Sequence, residues 1–173
     1  MEKLETERGL AQASVMKAAA PKKILIVDDD VALMRVMREA LTSMIRCEVD
    51  TSPKPEYGFE LALKKTYDLL MFDFQMPMID GAMLFLLIGK VYNNTVPPRI
   101  VPPLLLVTGK GDEKRAQELL QEAGVRGLVP KPFLIDRLIE KVKECLPGVE
   151  TIGPGQVGAE HPRPETLTRP API

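Results

Sequence analysis

The chain has 173 residues, a length at which one domain of about 100–200 residues is the usual arrangement. Hydrophobic residues make up 45% and charged residues 27%, as in ordinary globular proteins, and 23 basic residues nearly balance 24 acidic ones. This balance excludes a generally basic nucleic-acid-binding or membrane-surface protein, and no apolar run reaches the roughly 18–20 residues that a membrane-spanning helix needs.

The two ends of the chain differ in composition from the middle. Residues 147–173 include six prolines and four glycines among 27 residues, a composition that predicts a disordered tail. Residues 1–21 are polar, lack the apolar segment of a signal peptide and are predicted to form a flexible arm. The folded domain is therefore expected over residues 22–146. Cys47 and Cys145 are too few for a disulfide framework or a zinc site, so we expect a cytoplasmic protein with reduced thiols.

Within the central region, short apolar runs alternate with segments of helical periodicity. The runs that predict strands are Lys22–Val27, Cys47–Thr51, Asp68–Phe72, Leu104–Val107 and Gly127–Val129. The segments that predict helices are Val31–Met44, Pro55–Lys65, Ala82–Tyr92, Asp112–Ala123 and Ile135–Leu146. Five alternating strand–helix units predict an α/β fold with a parallel sheet covered on both faces. Residues 93–103 hold four prolines and predict a stiff spacer.

Polar residues stand where the predicted strands end, which is the edge at which parallel α/β sheets bind ligands. These residues are Asp28, Asp29, Asp30, Asp73, Thr108, Gly109 and Lys131. Clustered carboxylates repel each other unless a cation neutralises them, and oxygen ligands without histidine or cysteine favour Mg²⁺. Asp30 is instead predicted to cap the helix that follows it. We therefore expect Asp28, Asp29 and Asp73 to form a site.

Four motifs in the chain resemble, in order and spacing, the signatures of the response-regulator receiver domain of two-component signalling. They are KILIVDDD, DLLMFDFQMPMIDG, LLLVTG and GLVPKPF, and the resemblance extends over residues 22–146. It implies a flavodoxin-like doubly wound parallel sheet with strand order 2-1-3-4-5, in agreement with the strand–helix pattern. It also implies that a sensor histidine kinase or a phosphotransfer protein donates a phosphoryl group to an aspartate of this chain.

The resemblance implies a role for each acidic residue and for the lysine. Asp73 corresponds to the phosphoacceptor, the nucleophile that forms an aspartyl phosphate. Asp28, Asp29 and the backbone carbonyl of Gln75 correspond to the ligands that, together with Asp73, hold Mg²⁺. Lys131 corresponds to the lysine that stabilises charge on the phosphoryl oxygens.

The resemblance also implies a conformational switch. Thr108 corresponds to the residue whose hydroxyl turns toward the phosphoryl group, and Gly109 to the small residue that leaves this group space. The Lys131–Pro132 peptide bond is expected to be cis. Leu128 stands where the family usually has tyrosine or phenylalanine, so we expect a shallower switch. Pro130 favours an edge position for the last strand, because proline lacks the N–H that a central strand donates.

Three functions are weighed for these residues. The first is a stand-alone receiver that catalyses only its own phosphorylation and dephosphorylation and switches its contacts with an unknown downstream protein, without binding nucleic acid or membranes. The second is a receiver-like scaffold that binds a partner without phosphorylation; Leu128 favours it, and the complete set of site residues argues against it. The third is a hydrolytic phosphotransferase, which is disfavoured because Gln75 cannot supply the second acid such enzymes need.

Overall fold

The computed structural model describes residues 20–109 and 113–153. Its strands are β1 (Lys22–Val27), β2 (Cys47–Ser52), β3 (Leu69–Asp73), β4 (Leu104–Thr108) and β5 (Val125–Pro130). Its helices are α1 (Val31–Met44), α2 (Pro55–Lys64), α3 (Gly81–Asn93), α4 (Glu113–Leu119) and α5 (Ile135–Cys145). Most of the predicted arm and tail, residues 1–19 and 154–173, lies outside these described residues.

The strands form one sheet in the order β2-β1-β3-β4-β5, and each neighbouring pair is parallel. This arrangement confirms the predicted α/β fold with strand order 2-1-3-4-5. Strand β1 lies inside the sheet and β2 forms one edge next to it. Strands β3, β4 and β5 then follow in order on the other side of β1. Within the described residues, no helix has the length and apolar character needed to cross a membrane.

The sheet separates two apolar clusters, one on each face. Helices α2 and α3 cover one cluster, and helices α1 and α5 cover the other. Along β3, Leu70 and Phe72 belong to the first cluster while Leu69 and Met71 belong to the second, as expected from the alternation of side chains in a strand. Because both faces are covered, β3 and β4 are buried throughout, which explains their uninterrupted apolar sequence.

Carboxylate caps fix the start of the two helices that follow β1 and β3. A carboxylate oxygen of Asp30 accepts a hydrogen bond from the N–H of Leu33 at 2.9 Å, and one of Asp80 accepts from the N–H of Met83 at 2.7 Å. These bonds satisfy N–H groups that have no partner within the helix, and the negative charge interacts favourably with the helix dipole. The predicted capping role of Asp30 is confirmed.

Helix α4 is shorter than the helix predicted over Asp112–Ala123. It ends at Leu119, and the N–H groups of Gln121 and Glu122 then bond to carbonyls three residues back, at 3.2 and 2.9 Å. Such bonds form tight turns rather than a continuing α-helix. Gly124 follows with a φ of 97°, a conformation that glycine adopts without steric cost.

The ordered chain continues past the predicted end of the domain. Residues 147–153, the C-terminal segment, run beside the start of β2, where Ile45 forms an antiparallel bridge with Thr151. The N–H of Arg46 donates to the carbonyl of Glu150 at 2.8 Å, and their side chains form an ion pair at 3.0 Å. The prediction that disorder begins at residue 147 is therefore wrong for this segment, because its backbone has hydrogen-bond partners.

The proline-rich loop between α3 and β4 is held in place by Arg99. Its guanidinium donates to the carbonyls of Leu63 and Lys65, each at 2.9 Å, and to the hydroxyl of Tyr92 at 2.9 Å. It also lies over the ring of Tyr92, 3.9 Å from the centroid, in a cation–π contact. The loop thus supplies partners for carbonyls at the end of α2 that have none within the helix.

Candidate functional site

The carboxyl ends of β1 and β3 bring three acidic side chains together. Asp28 and Asp73 are 0% and 5% exposed, whereas Asp29 is exposed. One carboxylate oxygen from each of the three lies within 4.8 Å of the other two. The two strands are neighbours in a parallel sheet, so their ends meet at one edge. We call these three residues the acidic cluster.

Lys131 joins the two buried carboxylates. Its ammonium donates to Oδ2 of Asp28 at 2.8 Å and to Oδ1 of Asp73 at 2.9 Å. The other oxygen of Asp28 accepts from the backbone N–H of Asp30 at 2.9 Å. Burial lowers the pKa of Lys131, but the hydrogen bonds to Asp28 and Asp73 outweigh this effect and raise it. The lysine therefore stays charged and compensates one of the negative charges.

The carboxyl of Asp73 is a weaker acid than usual. Its pKa is raised to about 6, mainly by burial; the charges of Asp28 and Asp29 act in the same direction, and Lys131 opposes them. With all four groups ionised, three carboxylates and one ammonium leave an excess of negative charge. A donor set of oxygens alone, with this excess charge, fits Mg²⁺ and does not fit metals that select nitrogen or sulfur.

Replacing Asp73 by asparagine is expected to raise the free energy of unfolding by about 1–3 kcal/mol at about pH 8 without divalent cations. The carboxyl pKa of about 6 in the folded protein lies above the unfolded value of about 3.9. The wild-type protein therefore loses stability as the pH rises between these two values, and the loss persists above them. Asparagine buries no charge, so the difference between the proteins should disappear at about pH 4.

Urea denaturation of both proteins at the two pH values measures this effect. Asp136→Asn, in the exposed first turn of α5, is the control and should change stability little. If Asp73→Asn gains the same free energy of unfolding at both pH values, the raised pKa assigned to Asp73 is contradicted.

Thr108 ends β4 beside the acidic cluster. It is buried, and its carbonyl accepts a hydrogen bond from the backbone N–H of Lys131 at 2.6 Å, which joins the ends of β4 and β5. At Gly109 an added Cβ would meet no atom within 4 Å, so packing within the described chain does not require glycine and the space beside it is open. The Lys131–Pro132 peptide bond is cis, as predicted.

Strand β5 lies at the edge of the sheet, as the position of Pro130 predicted. Pro130 is its last residue and pairs with Thr108. Leu128 pairs with Leu106 and is half-buried against the cluster that contains Phe74. The position at which the resemblance implies an aromatic ring is therefore occupied here by a smaller, partly covered side chain.

Gln75 lies in the segment that connects β3 to α3, and Gly81 is the first residue of α3. Gln75 follows Asp73 by two residues, and its part as a carbonyl ligand stays a prediction. An added Cβ at Gly81 would lie 2.3 Å from the carbonyl oxygen of Asp73, so glycine is required for α3 to start against the end of β3. This positioning role is not predicted from the sequence, although Gly81 closes the DFQMPMIDG motif.

Arg115 of α4 is a second residue near the site that the sequence does not predict. Its guanidinium forms an ion pair with Asp80 at 3.2 Å and lies 5.5 Å from the ring centroid of Phe74. These contacts connect α4 to the segment between β3 and α3. The ion pair is largely exposed, so its effect on stability is small. No local motif marks Arg115, because its partners are distant in the sequence.

Comparison with known proteins gives consistent matches. The family model described as the response regulator receiver domain matches residues 24–143. The probable chemotaxis protein CheY of Rhizobium etli is 28% identical over 123 residues, which are 71% of this chain and 91% of that protein. The response regulator ArlR of Staphylococcus saprophyticus is 31% identical over 124 residues, which are 72% of this chain and 52% of that protein. The chain spans about half the length of ArlR and of other curated relatives that it matches.

Solved structures with the same architecture include two small proteins. A CheY-like receiver domain protein from Methanospirillum hungatei has a TM-score of 0.59 and 26% identity, covering 72% of this chain and 92% of that one. The chemotaxis protein CheY4 of Vibrio cholerae has a TM-score of 0.62 and 23% identity, covering 73% of this chain and 100% of that one. At the latter identity the likeness shows the fold alone.

Proposed function

The chain belongs to the response-regulator receiver family, and from this premise we propose that it is a phosphorylation-dependent signalling module that accepts a phosphoryl group on Asp73. The observation that carries the proposal is the buried Asp73, adjacent to two other carboxylates and hydrogen-bonded to Lys131. A structural aspartate in such a position would not need a cluster with excess negative charge. An aspartate that must bind a cation and a phosphoryl group does need one.

The proposed reaction is transfer of a phosphoryl group from a histidine of the donor protein. An oxygen of Asp73 attacks phosphorus, the phosphorus–nitrogen bond breaks, and the donor imidazole leaves with the bonding electrons and takes up a proton, so that a neutral ring is released. At neutral pH a carboxyl with a pKa of about 6 is mostly ionised and can act as the nucleophile. The ammonium of Lys131 would stabilise the charge on the phosphoryl oxygens, which is an electrostatic role.

Mg²⁺ is the proposed cofactor. Asp28, Asp29, Asp73 and the backbone carbonyl of Gln75 would hold it, together with water and a phosphoryl oxygen. When bound, the ion supplies positive charge that offsets both the acidic cluster and the transferred group. No activity beyond the chain's own phosphorylation and dephosphorylation is proposed.

The proposed partners follow from this chemistry. The donor is a sensor histidine kinase or a phosphotransfer protein, and the phosphorylated form changes its contacts with a downstream protein. The relatives of this chain include a probable chemotaxis protein and a response regulator. The cytoplasmic location and the lack of direct nucleic-acid binding stay predictions.

Incubation with acetyl phosphate and Mg²⁺, followed by intact mass measurement, tests the proposal. The wild-type protein should gain one phosphoryl group, and Asp73→Asn should gain none. Removal of Mg²⁺ with a chelator should prevent the gain. Asp136→Asn is the control and should be phosphorylated like the wild type. An unmodified wild-type protein would favour the scaffold that binds its partner without phosphorylation.

Phosphorylation is expected to shift the population of the switched state by about tenfold or less. Leu128 is smaller than the aromatic ring usual at its position, and several tens of Å² of apolar area moved between states correspond to about 1–2 kcal/mol. NMR spectra with and without phosphorylation measure the two populations. Leu128→Tyr should enlarge the shift, and Thr108→Ala should reduce it. A thousandfold shift in the wild type would show that Leu128 does not limit the switch.

A further inference from the structure

Helix α3 exposes an unusual number of apolar side chains. Met83, Leu86, Leu87 and Val91 are 49%, 52%, 42% and 37% exposed, and we call these four residues the α3 stripe. The opposite side of the helix is buried against the sheet. Among the 13 residues of α3, only Lys90 is charged. A helix that is apolar on all sides is normally buried on all sides, so the α3 stripe lacks a covering surface.

A groove continues the stripe toward α2. It has a volume of about 230 Å³ and is lined by Pro55, Glu56, Phe59, Ile79, Leu84 and Leu87. Five of these six side chains are apolar, so groove and stripe form one apolar surface that shares Leu87. The outer face of α5 is a contrast, because its exposed residues are charged. An exposed apolar surface of this kind is typical of a protein–protein interface.

Opposite charges mark the two ends of this surface. Glu56 lines the groove beside Leu84, near the start of α3, and Lys90 lies in the last turn of α3. In the described part of the chain, neither takes part in an ion pair. Glu60, one turn beyond Glu56, is by contrast paired with Lys64.

We propose that the α3 stripe binds the α3 stripe of a second copy of this chain, with the two helices antiparallel. An interface with two-fold symmetry must be complementary to itself, and a surface that is acidic at one end and basic at the other meets this condition. An axis passing between Leu86 and Leu87 places Met83 of one copy opposite Lys90 of the other. Lys90 then approaches the groove that carries Glu56 of the partner subunit.

Two further features agree with an antiparallel pair. The spacing of three and four residues along the stripe suits side chains that interlock between neighbouring helices. The dipoles of antiparallel helices also oppose each other, with the negative end of one beside the positive end of the other. Since four side chains and one groove cover less than the roughly 800 Å² per partner of a standard interface, we expect a dimer that dissociates on dilution.

Sedimentation equilibrium of the full chain over a wide concentration range tests this proposal, without Mg²⁺ or a phosphoryl donor. The wild type should pass from monomer to dimer. Leu86→Glu should raise the dissociation constant about a hundredfold or more, because it places two like charges at the symmetry axis. Val36→Glu is the matched control, since Val36 is 48% exposed on α1, and should leave the dissociation constant unchanged.

Charge reversal tests the orientation of the helices. Glu56→Lys and Lys90→Glu should each weaken the dimer by about two- to fivefold, and the variant with both changes should return toward the wild-type dissociation constant.

A monomer at every concentration would overturn the proposal, whether a terminal segment of the chain or another protein then covers the stripe. A dimer that Leu86→Glu leaves intact would overturn it equally, and failure to restore binding in the double variant would overturn the antiparallel arrangement. None of these results depends on phosphorylation, so the proposed function stands or falls separately.

Discussion

Alanine in place of Asp29 is expected to lower the rate of Mg²⁺-dependent phosphorylation by about a hundredfold or more. Asp29 is the exposed member of the acidic cluster, so its carboxylate is the one most accessible to an entering cation. Without it the proposed site loses one of its few protein ligands, while the fold should stay intact. Stability without metal should be unchanged or slightly higher, because one repulsive charge beside Asp73 is removed.

Asp30→Ala is the matched control for this variant. Asp30 is the next acidic residue in the chain, but its side chain caps α1 and is not in the acidic cluster. We expect the Asp30→Ala variant to lose about 1 kcal/mol of stability and to keep the wild-type phosphorylation rate. Time courses with acetyl phosphate over a range of Mg²⁺ concentrations measure both rates. Unchanged phosphorylation of Asp29→Ala would contradict the metal assignment.

Lys131→Ala is expected to lower the phosphorylation rate by about a hundred- to a thousandfold, the usual effect of removing a group that stabilises developing charge. It should also reduce stability by about 3 kcal/mol, because it leaves the carboxylates of Asp28 and Asp73 buried without their cation. Mg²⁺ should restore part of this loss and should stabilise the variant more than the wild type. The fraction of the Lys131→Ala variant that does become phosphorylated should show no change of conformation.

Urea denaturation with and without Mg²⁺, together with phosphorylation time courses, checks these expectations. Lys143→Ala removes an exposed lysine from the last turn of α5 and should change neither quantity. A full conformational response in phosphorylated Lys131→Ala would show that another residue transmits the signal. Loss of stability that Mg²⁺ does not relieve would argue against a cation site between the carboxylates.

The sequence predicts the sheet, and the meeting of Asp28, Asp29, Asp73 and Lys131 at one edge of it, because both follow from local patterns. Uninterrupted apolar runs mark β3 and β4, which are buried on both faces, and the helical periods between the strands require parallel neighbours. Each of these site residues lies at the end of a strand or within two residues after it. Lys131 therefore meets Asp28, 103 positions earlier in the chain, without any local signal that connects the two.

Contacts that no strand end or periodic pattern specifies could not be predicted in this way. Arg46 and Glu150 are 104 positions apart, and their ion pair and the adjoining backbone bonds order a segment whose composition indicates disorder. Arg99 reaches Leu63 across 36 positions. The requirement for glycine at position 81 depends on how closely α3 approaches the end of β3, a distance that only the packed structure defines.

The residues that lead into β1 and those that follow α5 meet at the end of the sheet remote from Asp73. Ala20 lines the same small cavity as Gly148, Val149 and Glu150, next to Arg46. A folded unit with adjacent ends can be grafted into a surface loop of a host protein without stretching either. Insertion between the halves of a fluorescent reporter, through short flexible linkers, would leave the acidic edge accessible, and the proposed phosphorylation of Asp73 would then be sought as a change in fluorescence.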